Sequence, residues 1–517
     1  MGKTIFQALF SFIFVLLLLF PNLFASWGLI DDHQIIRNLG SDEKMGFSEI
    51  PEKLKQTEVF FTKERITRYR PAYWVANLTE TAIWGGKAEN WYRFRLLLIG
   101  TSIFITWHLL SKNLGLALSG IACLYLFTLP SWADTWTRLG PSELYALFGF
   151  AIYCLAFYKI WTYKSAKWWL LLAFGAILSF GSKENFLFLL PATVPLVYRI
   201  WKSRKLTLLP AACTIFIMFS GLSIAVAVIV MLSRTGADIY GNSVNPAARF
   251  LPKLLARPNQ IAAIPVLVSA VLLGGVFFVR KRVPSLHSAL PLLKKLFLAE
   301  VLLFTVWISQ FFFYNGGLPF WNRYDFPGLF ARDLGYFFLF SIPFALLSIY
   351  KFRFNIWIKS VSLIALTVCV WIFFAGPGFM HIQNASVENL KKTQSFTKSV
   401  HKMIAALKNS PDIPVILHAH TVWDYEPVIS FSRYIQTYGA INPVALFFEE
   451  QVIAEHKVEI ERILFKRMEG ISKTGDVSKI DKQLNFAPVN SVAGRPCFVV
   501  DFSGVSTRDC FNLGRIW

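Results

Sequence analysis

The stretch TIFQALFSFIFVLLLLFPNLFAS (residues 4–26) is followed directly by WGLIDDH (residues 27–33). The first stretch is predominantly apolar and long enough to cross the roughly 30 Å hydrocarbon layer of a bilayer. Two adjacent aspartates, Asp31 and Asp32, follow it, and charged groups near hydrocarbon are costly to hold without a purpose. The sequence therefore predicts a membrane helix with a functional acidic pair just beyond its end.

The composition of the whole chain is that of a polytopic membrane protein. Of its 517 residues, 55% are hydrophobic and 16% aromatic, more than a soluble domain of this size carries. The formal net charge is +21, but the basic residues fall in short clusters between apolar stretches rather than along one face. We therefore expect a lipid bilayer as the surroundings and no nucleic-acid partner.

Apolar stretches that could span the membrane occur about eleven times. The predicted spans are residues 4–26, 95–111, 113–131, 144–163, 168–182, 186–201, 207–232, 261–279, 296–314, 334–350 and 360–379. Residues 4–20 also resemble the apolar part of a secretory signal, but Leu23-Phe24-Ala25-Ser26 is a poor cleavage site, so we expect a retained helix.

The charged residues between the spans predict the orientation. With the amino terminus inside, the inner loops are basic and nearly free of acid, which is the bias of cytoplasmic loops. The outer loops then hold Asp31, Asp32, Asp134, Glu143, Glu184, Asp238, Asp325 and Asp333. We therefore predict a multi-pass protein of a bacterial-type plasma (inner) membrane, with its site facing the periplasm or the cell exterior and its carboxy terminus outside.

Two domains are predicted. Residues 1–380 form the membrane domain, in which a long first outer loop, 28–93, suits interfacial helices. Residues 381–517 form a small extracytoplasmic α/β domain. It has helical periodicity at 395–408 and 456–470 and short apolar β-type runs at 415–417 and 497–500. Cys497 and Cys510 lie in a polar region of that domain and form a possible disulfide if it faces outside.

Short polar motifs recur in the predicted outer loops. They are Asp31-Asp32, Arg68-Tyr69-Arg70-Pro71-Ala72-Tyr73-Trp74, Thr137-Arg138-Leu139-Gly140-Pro141-Ser142-Glu143, Ser182-Lys183-Glu184 and Arg323-Tyr324. The order and spacing of these motifs, and their common position on the outer side, resemble those of the GT-C integral-membrane glycosyltransferases. The resemblance covers residues 1–380 and is to the branch that includes protein O-mannosyltransferases and lipid A aminoarabinose transferases.

That resemblance implies a hexosyl- or pentosyltransferase that moves a sugar from a polyprenyl-phosphate donor, with inversion, to an acceptor hydroxyl on a glycan, glycolipid or protein. A carboxylate can take the proton of the attacking hydroxyl, and we expect Asp32 or Asp31 to do so, with Asp32 slightly preferred. Fixed cations can stabilise the charge on the leaving phosphate. The candidates are Lys183, Arg323, Arg138 and Arg70, with Glu143, Glu184, His33 and Tyr324 in support.

Each candidate also has a purely structural interpretation. The acidic pair can be a solvated helix end with one carboxylate paired to a loop arginine. Lys183 and Glu184 can be structural groups that pair with each other or with neighbouring spans. Arg138 and Glu143 can form a local loop salt bridge. Arg323 can be an interfacial anchor. Arg70 can simply mark a helix end beside Pro71.

A metal site is a weaker hypothesis. Asp31, Asp32 and His33 offer two carboxylates and an imidazole, and Mg or Mn would be the chemical expectation. One histidine beside two carboxylates is not a metal site by spacing alone, so we expect that no cofactor is required.

Two other classes of function remain open. A lipid or polysaccharide transporter or flippase would place ionisable residues at mid-membrane and on both sides, whereas the inner loops here are nearly acid-free. An anchored binding protein that works through its α/β domain would leave Asp31, Lys183 and Arg323 unexplained. No nucleotide-binding G-x-x-x-x-G-K-[ST] loop is present, so an ATP-driven pump is not indicated.

Overall fold

The computed structural model of the protein describes most of the membrane domain and part of the carboxy-terminal domain. The described residues are 2–40, 42–57, 69–163, 165–202, 207–235, 256–279, 289–313, 323–349, 356–419, 425–448, 469–471, 476–481, 484–485, 496–501 and 511–515.

Long apolar helices dominate the membrane domain, and each predicted span coincides with one of them. The helices of this domain are Gly2–Leu19, His33–Ile36, Ile50–Lys55, Pro71–Trp84, Ala88–Leu114, Leu116–Phe127, Trp132–Thr137, Glu143–Tyr163, Trp168–Ser182, Leu189–Lys202, Leu208–Thr235, Arg257–Val279, Leu290–Phe313, Gly328–Ile349 and Ile356–Val370. Among the described residues, six helices are long and apolar enough to cross a membrane. The chain is therefore an integral multi-pass membrane protein, while eleven spans and an inside amino terminus stay predictions.

The helices Glu143–Tyr163 and Trp168–Ser182 pack closely along their lengths. Gly149 faces Gly175, and a Cβ atom on Gly149 would lie only 2.8 Å from the Gly175 carbonyl oxygen. Small residues allow helix backbones to approach this closely within a membrane. Because the two helices are consecutive and antiparallel, the start of the first, at Glu143, lies beside the end of the second, just before Lys183.

The predicted first outer loop contains short helices among its described residues, while their place at the membrane interface stays a prediction. His33–Ile36, Ile50–Lys55 and Pro71–Trp84 lie within residues 28–93. Pro71 occupies the first turn of the last of these, where its missing N–H group costs no hydrogen bond. Arg70 thus directly precedes a helix start.

One long helix joins the membrane domain to the carboxy-terminal domain. Ile356–Val370 continues through a π-helical turn at Trp371–Ala375 into Gly376–Asn409. The predicted domain boundary at residue 380 thus falls inside a continuous helix. The predicted helical segment 395–408 belongs to the same helix.

The described residues of the carboxy-terminal domain form a mixed seven-stranded sheet. Its strands are β1 Val415–Ala419, β2 Val444–Phe448, β3 Glu469–Ile471, β4 Asp476–Asp481, β5 Leu484–Asn485, β6 Phe498–Asp501 and β7 Phe511–Arg515, in the order β3-β4-β2-β1-β6-β7 with β5 paired to β4. Parallel pairing joins β2, β1, β6 and β7, whereas β3, β4 and β5 are antiparallel additions at one edge. The two predicted apolar runs lie in β1 and β6.

Two other predictions for this domain meet the limits of the described residues. Most of the predicted helical segment 456–470 lies outside them, and its last two residues begin β3. Cys497 is disulfide-bonded, and its predicted partner Cys510 lies outside the described residues. The helix Tyr425–Thr437 connects β1 to β2 and packs toward the membrane domain.

Candidate functional site

Asp31 lies in a tight turn between the first membrane helix and the short helix His33–Ile36. Its backbone has a φ of 72°, a left-handed conformation that Asp tolerates better than most residues but that the surrounding structure must hold. Gly140 lies against this side chain, because a Cβ atom at Gly140 would lie 2.8 Å from the Asp31 Oδ2 atom. The absence of a side chain at Gly140 therefore leaves room for the Asp31 carboxylate.

Two arginines and two aspartates alternate around that turn. Arg138 donates to Asp31 Oδ2 at 2.6 Å and to Asp134 Oδ1 at 2.8 Å. Arg323 Nε lies 3.1 Å from Asp134 Oδ2, and its Nη1 lies 3.9 Å from Asp31 Oδ2. We call these four residues the charged ring. Its members are partly exposed, with 14% of the Arg323 side chain and 41% of the Asp134 side chain accessible.

A narrow groove with a cavity volume of only about 10 Å³, which we call the apolar groove, adjoins the charged ring. It is lined by Leu129, Ser131, Trp132, Thr135, Arg323, Phe326, Leu329 and Phe330. Aromatic rings form its walls, since Trp132 and Phe326 lie edge to face with ring centroids 4.9 Å apart. Arg323 belongs to both features, so the groove leads from aromatic side chains to a guanidinium group.

Lys183 is wholly buried behind the ring. Its Nζ atom donates to Glu143 Oε1 at 2.9 Å and to the carbonyl oxygen of Arg323 at 2.7 Å. The packing of the helices that bear Glu143 and Lys183 creates this pair, and the second bond anchors the turn that carries Arg323. The structure pairs Lys183 with Glu143 rather than with its neighbour Glu184.

Glu184 pairs with Arg70 instead. The Arg70 Nε atom lies 3.3 Å from Glu184 Oε2, and both side chains are about one-tenth exposed. This bond joins the start of the helix Pro71–Trp84 to the segment after Trp168–Ser182. Tyr324, the residue after Arg323, also has a hydrogen bond within the site. Its hydroxyl accepts from Arg323 Nη2 at 3.3 Å.

Asp32 occupies a different environment from Asp31. It is only 3% exposed, and its Oδ2 atom accepts a hydrogen bond from the Gly28 amide at 2.6 Å. Burial raises the pKa of Asp32 to about 7, and the neighbouring Asp31 charge also raises it. Of the two aspartates, Asp31 belongs to the charged ring, whereas Asp32 is buried and bonded to the Gly28 amide.

Stability should fall as the pH rises because of Asp32. Between about pH 4 and pH 7 the folded protein holds a proton on Asp32 that the unfolded chain releases. The contribution of this proton to the free energy of unfolding therefore decreases as the pH rises and is lost above about pH 7. The slope reaches at most about 1.4 kcal/mol per pH unit. The free energy of unfolding is measured at several pH values across that range for the wild type and for Asp32→Asn. The fall with rising pH should be absent from the variant. An unchanged slope in the variant would assign the pH dependence to other groups.

His33 begins the helix His33–Ile36, next to the turn. Among the residues that the structure describes, no group of three or more His, Cys, Asp or Glu side chains is placed to hold a metal ion. The arginine and amide contacts of Asp31 and Asp32 use one oxygen, Oδ2, of each carboxylate. Independence from metals stays a prediction.

Two parts of the site were not predicted from sequence. Asp134 was noted only as an outer-loop acid, although its i,i+4 spacing from Arg138 indicates an ion pair. A second buried group lies behind Gly140, where Arg95 Nη2 donates to the Leu139 carbonyl oxygen at 2.8 Å and to the Tyr145 hydroxyl at 2.9 Å. No spacing rule connects those residues, because they come from separate elements.

Comparisons with known proteins give a limited result. No protein-family model matches the chain, and no curated protein matches it. Among solved structures, the chain is similar to the crystal structure of ArnT from Cupriavidus metallidurans bound to undecaprenyl phosphate, with 12% sequence identity, coverage of 89% of each chain and a TM-score of 0.42. A likeness at this level does not establish a shared activity, so function is inferred from the site itself.

Proposed function

We propose that the protein is a membrane glycosyltransferase that moves a sugar, with inversion, from a polyprenyl-phosphate donor to an acceptor hydroxyl on the extracytoplasmic side. The observation that carries this proposal is the position of Arg323. It borders both the charged ring and the apolar groove. A polyprenyl-phosphate sugar has the matching chemistry, because an anionic phosphate separates its apolar tail from its sugar.

The donor phosphate binds to Arg323 and Arg138. Bidentate guanidinium groups suit phosphate oxygens, and their charge-assisted hydrogen bonds are stronger than neutral ones. The polyprenyl tail packs on the aromatic side chains that line the groove, which at about 10 Å³ must widen to admit it, whereas the sugar extends toward Asp31. The supporting pairs, Lys183 with Glu143 and Arg70 with Glu184, hold the backbone around this cavity.

The pairing seen in the charged ring is that of the enzyme without bound donor. The ring's two guanidinium charges are balanced by two carboxylates, so an arriving phosphate displaces carboxylate oxygens from the arginines. Transfer of the arginines to the phosphate therefore frees the Asp31 carboxylate oxygen from its ion pair, so that it can meet the acceptor hydroxyl.

In the chemical step the acceptor oxygen forms a bond to the anomeric carbon while the bond from that carbon to the phosphate oxygen breaks. Asp31 takes the hydroxyl proton. The polyprenyl phosphate leaves with an additional negative charge, which Arg138 and Arg323 stabilise in a site of reduced dielectric. Asp32 is the supporting carboxylate, which reverses the slight preference drawn from sequence. The acceptor is a hydroxyl of a glycan, a glycolipid or a protein.

Mass spectrometry of a deletion strain tests this function. Cells without the protein should accumulate one polyprenyl-phosphate sugar and lack the same sugar from a surface glycan, glycolipid or glycoprotein. The full-length gene should restore both, and a gene carrying Asp31→Asn should restore neither. Unchanged lipid-linked sugars together with unchanged surface glycans would refute the proposed reaction.

A further inference from the structure

The long helix Gly376–Asn409 contacts the segment that precedes the acidic pair. The Ser26 amide donates to the Thr393 hydroxyl at 3.1 Å. The Thr397 hydroxyl donates to the Trp27 carbonyl oxygen, also at 3.1 Å. Residues more than 350 positions apart in sequence thus hold the beginning of this segment.

A second helix of the carboxy-terminal domain, Tyr425–Thr437, holds the next two residues. The Tyr434 hydroxyl donates to the Gly28 carbonyl oxygen at 2.8 Å, and the Ser430 hydroxyl donates to the Leu29 carbonyl oxygen. Both side chains are buried, with at most 1% of their surface exposed. Buried hydroxyl groups of this kind fix a backbone because no water replaces a lost partner.

Apolar contacts surround these hydrogen bonds. The same buried cluster contains Trp27, Leu29, Ile35, Ile36 and Leu39 from the amino-terminal segment and Phe396, Val400, Met403, Val428, Phe431 and Tyr434 from the two helices. Such a shared core makes the segment and the carboxy-terminal domain one packed unit.

Gly28 links this unit to the acidic pair. Its carbonyl oxygen accepts from Tyr434, and its amide donates to the Asp32 carboxylate at 2.6 Å. The next charged residue, Asp31, has a positive φ that depends on its surroundings. A shift of Gly28 or Leu29 would therefore move both carboxylates.

We propose that Tyr434 and Ser430 are positioning residues for the acidic pair, so that the carboxy-terminal domain completes the site by holding residues 28–32 in place. This proposal rests on the proposed function of Asp31 as the base. The carboxy-terminal domain thereby contributes to the transfer step, although it is far from Asp31 in the sequence.

The test compares full-length proteins in nanodiscs. The double variant Tyr434→Phe with Ser430→Ala removes both hydroxyls, whereas Tyr438→Phe is the matched control. The Tyr438 ring stacks on Tyr434 with centroids 6.1 Å apart, but its hydroxyl bonds the side chain of Glu43. Hydrogen–deuterium exchange of the peptide covering residues 26–36 and the steady-state transfer rate are measured for each protein.

The double variant should exchange faster in residues 26–36 and transfer sugar about 10-fold more slowly, because small displacements of reacting groups are costly. Its KM for the donor should stay close to that of Tyr438→Phe, and Tyr438→Phe should match the wild type in exchange and in transfer rate. Unchanged exchange overturns the proposal, as does faster exchange with an unchanged transfer rate. Wild-type protein that transfers no sugar would instead refute the proposed function, while exchange, which needs no substrate, still decides whether the hydroxyls hold the segment.

Discussion

Replacing Arg323 by alanine is expected to lower the rate of sugar transfer by about 10²- to 10³-fold, because one fixed donor to a developing negative charge is worth about 3–4 kcal/mol in a transition state. Arg323 belongs to the charged ring and lines the apolar groove, so in the proposed reaction it contacts the donor phosphate in both ground and transition states. Donor binding should weaken as well. Steady-state kinetics with a polyprenyl-phosphate sugar separates the effect on kcat from that on KM.

Two further variants make this result specific. Arg332→Ala removes another arginine from the same region, one that pairs with the adjacent Asp333, and it should leave transfer within a few-fold of the wild type. Asp134→Asn removes one negative charge from the ring and should strengthen the binding of polyprenyl phosphate. Equal losses in Arg323→Ala and Arg332→Ala would show a general structural effect rather than a phosphate contact.

Replacing Lys183 by methionine is expected to destabilise the protein by about 3–5 kcal/mol, because it leaves Glu143 as an uncompensated buried charge. The Lys183 side chain is fully buried, and that of Glu143 is 3% exposed. The turn at Arg323 also loses its anchor. Denaturation of the purified protein in mixed micelles measures the change in the free energy of unfolding.

The double variant Lys183→Met with Glu143→Leu provides the control for that measurement. It removes both charges, and replacement of a whole buried ion pair by apolar side chains is often neutral or stabilising. Most of the lost stability should therefore return, whereas transfer should stay impaired because Arg323 remains unanchored. A double variant as unstable as Lys183→Met would show that the pair is not the source of the effect.

The positions of the long helices could be predicted from the sequence. A long apolar segment in lipid has no water to bond its backbone, so it must form its hydrogen bonds within itself, as a helix does. All the predicted spans therefore coincide with helices. The β-type runs at 415–417 and 497–500 were also readable, since buried parallel strands are short and apolar. The antiparallel edge formed by β3, β4 and β5 was not, because those strands contain charged and polar residues.

The site was only partly predictable, because its geometry depends on contacts between distant segments. The candidate residues could be chosen because they all lie in predicted outer loops, but the sequence did not show which of them pair with each other. Lys183 meets Glu143 only after two helices pack, and Asp31 differs from Asp32 only through a turn with positive φ. The charged ring required Asp134, whose spacing from Arg138 was a usable signal. The contact of the carboxy-terminal domain with Gly28 had no signal in the sequence.

Comparison of Asp31→Asn with Asp32→Asn tests the central claim most directly. Transfer of sugar from a polyprenyl-phosphate donor is measured for both variants in nanodiscs, together with binding of the donor. Asp31→Asn should transfer about 100-fold or more slowly while still binding donor, since a base in the transition state is lost, and Asp32→Asn should keep most of its activity. Full transfer by Asp31→Asn, with donor binding intact, would contradict the account.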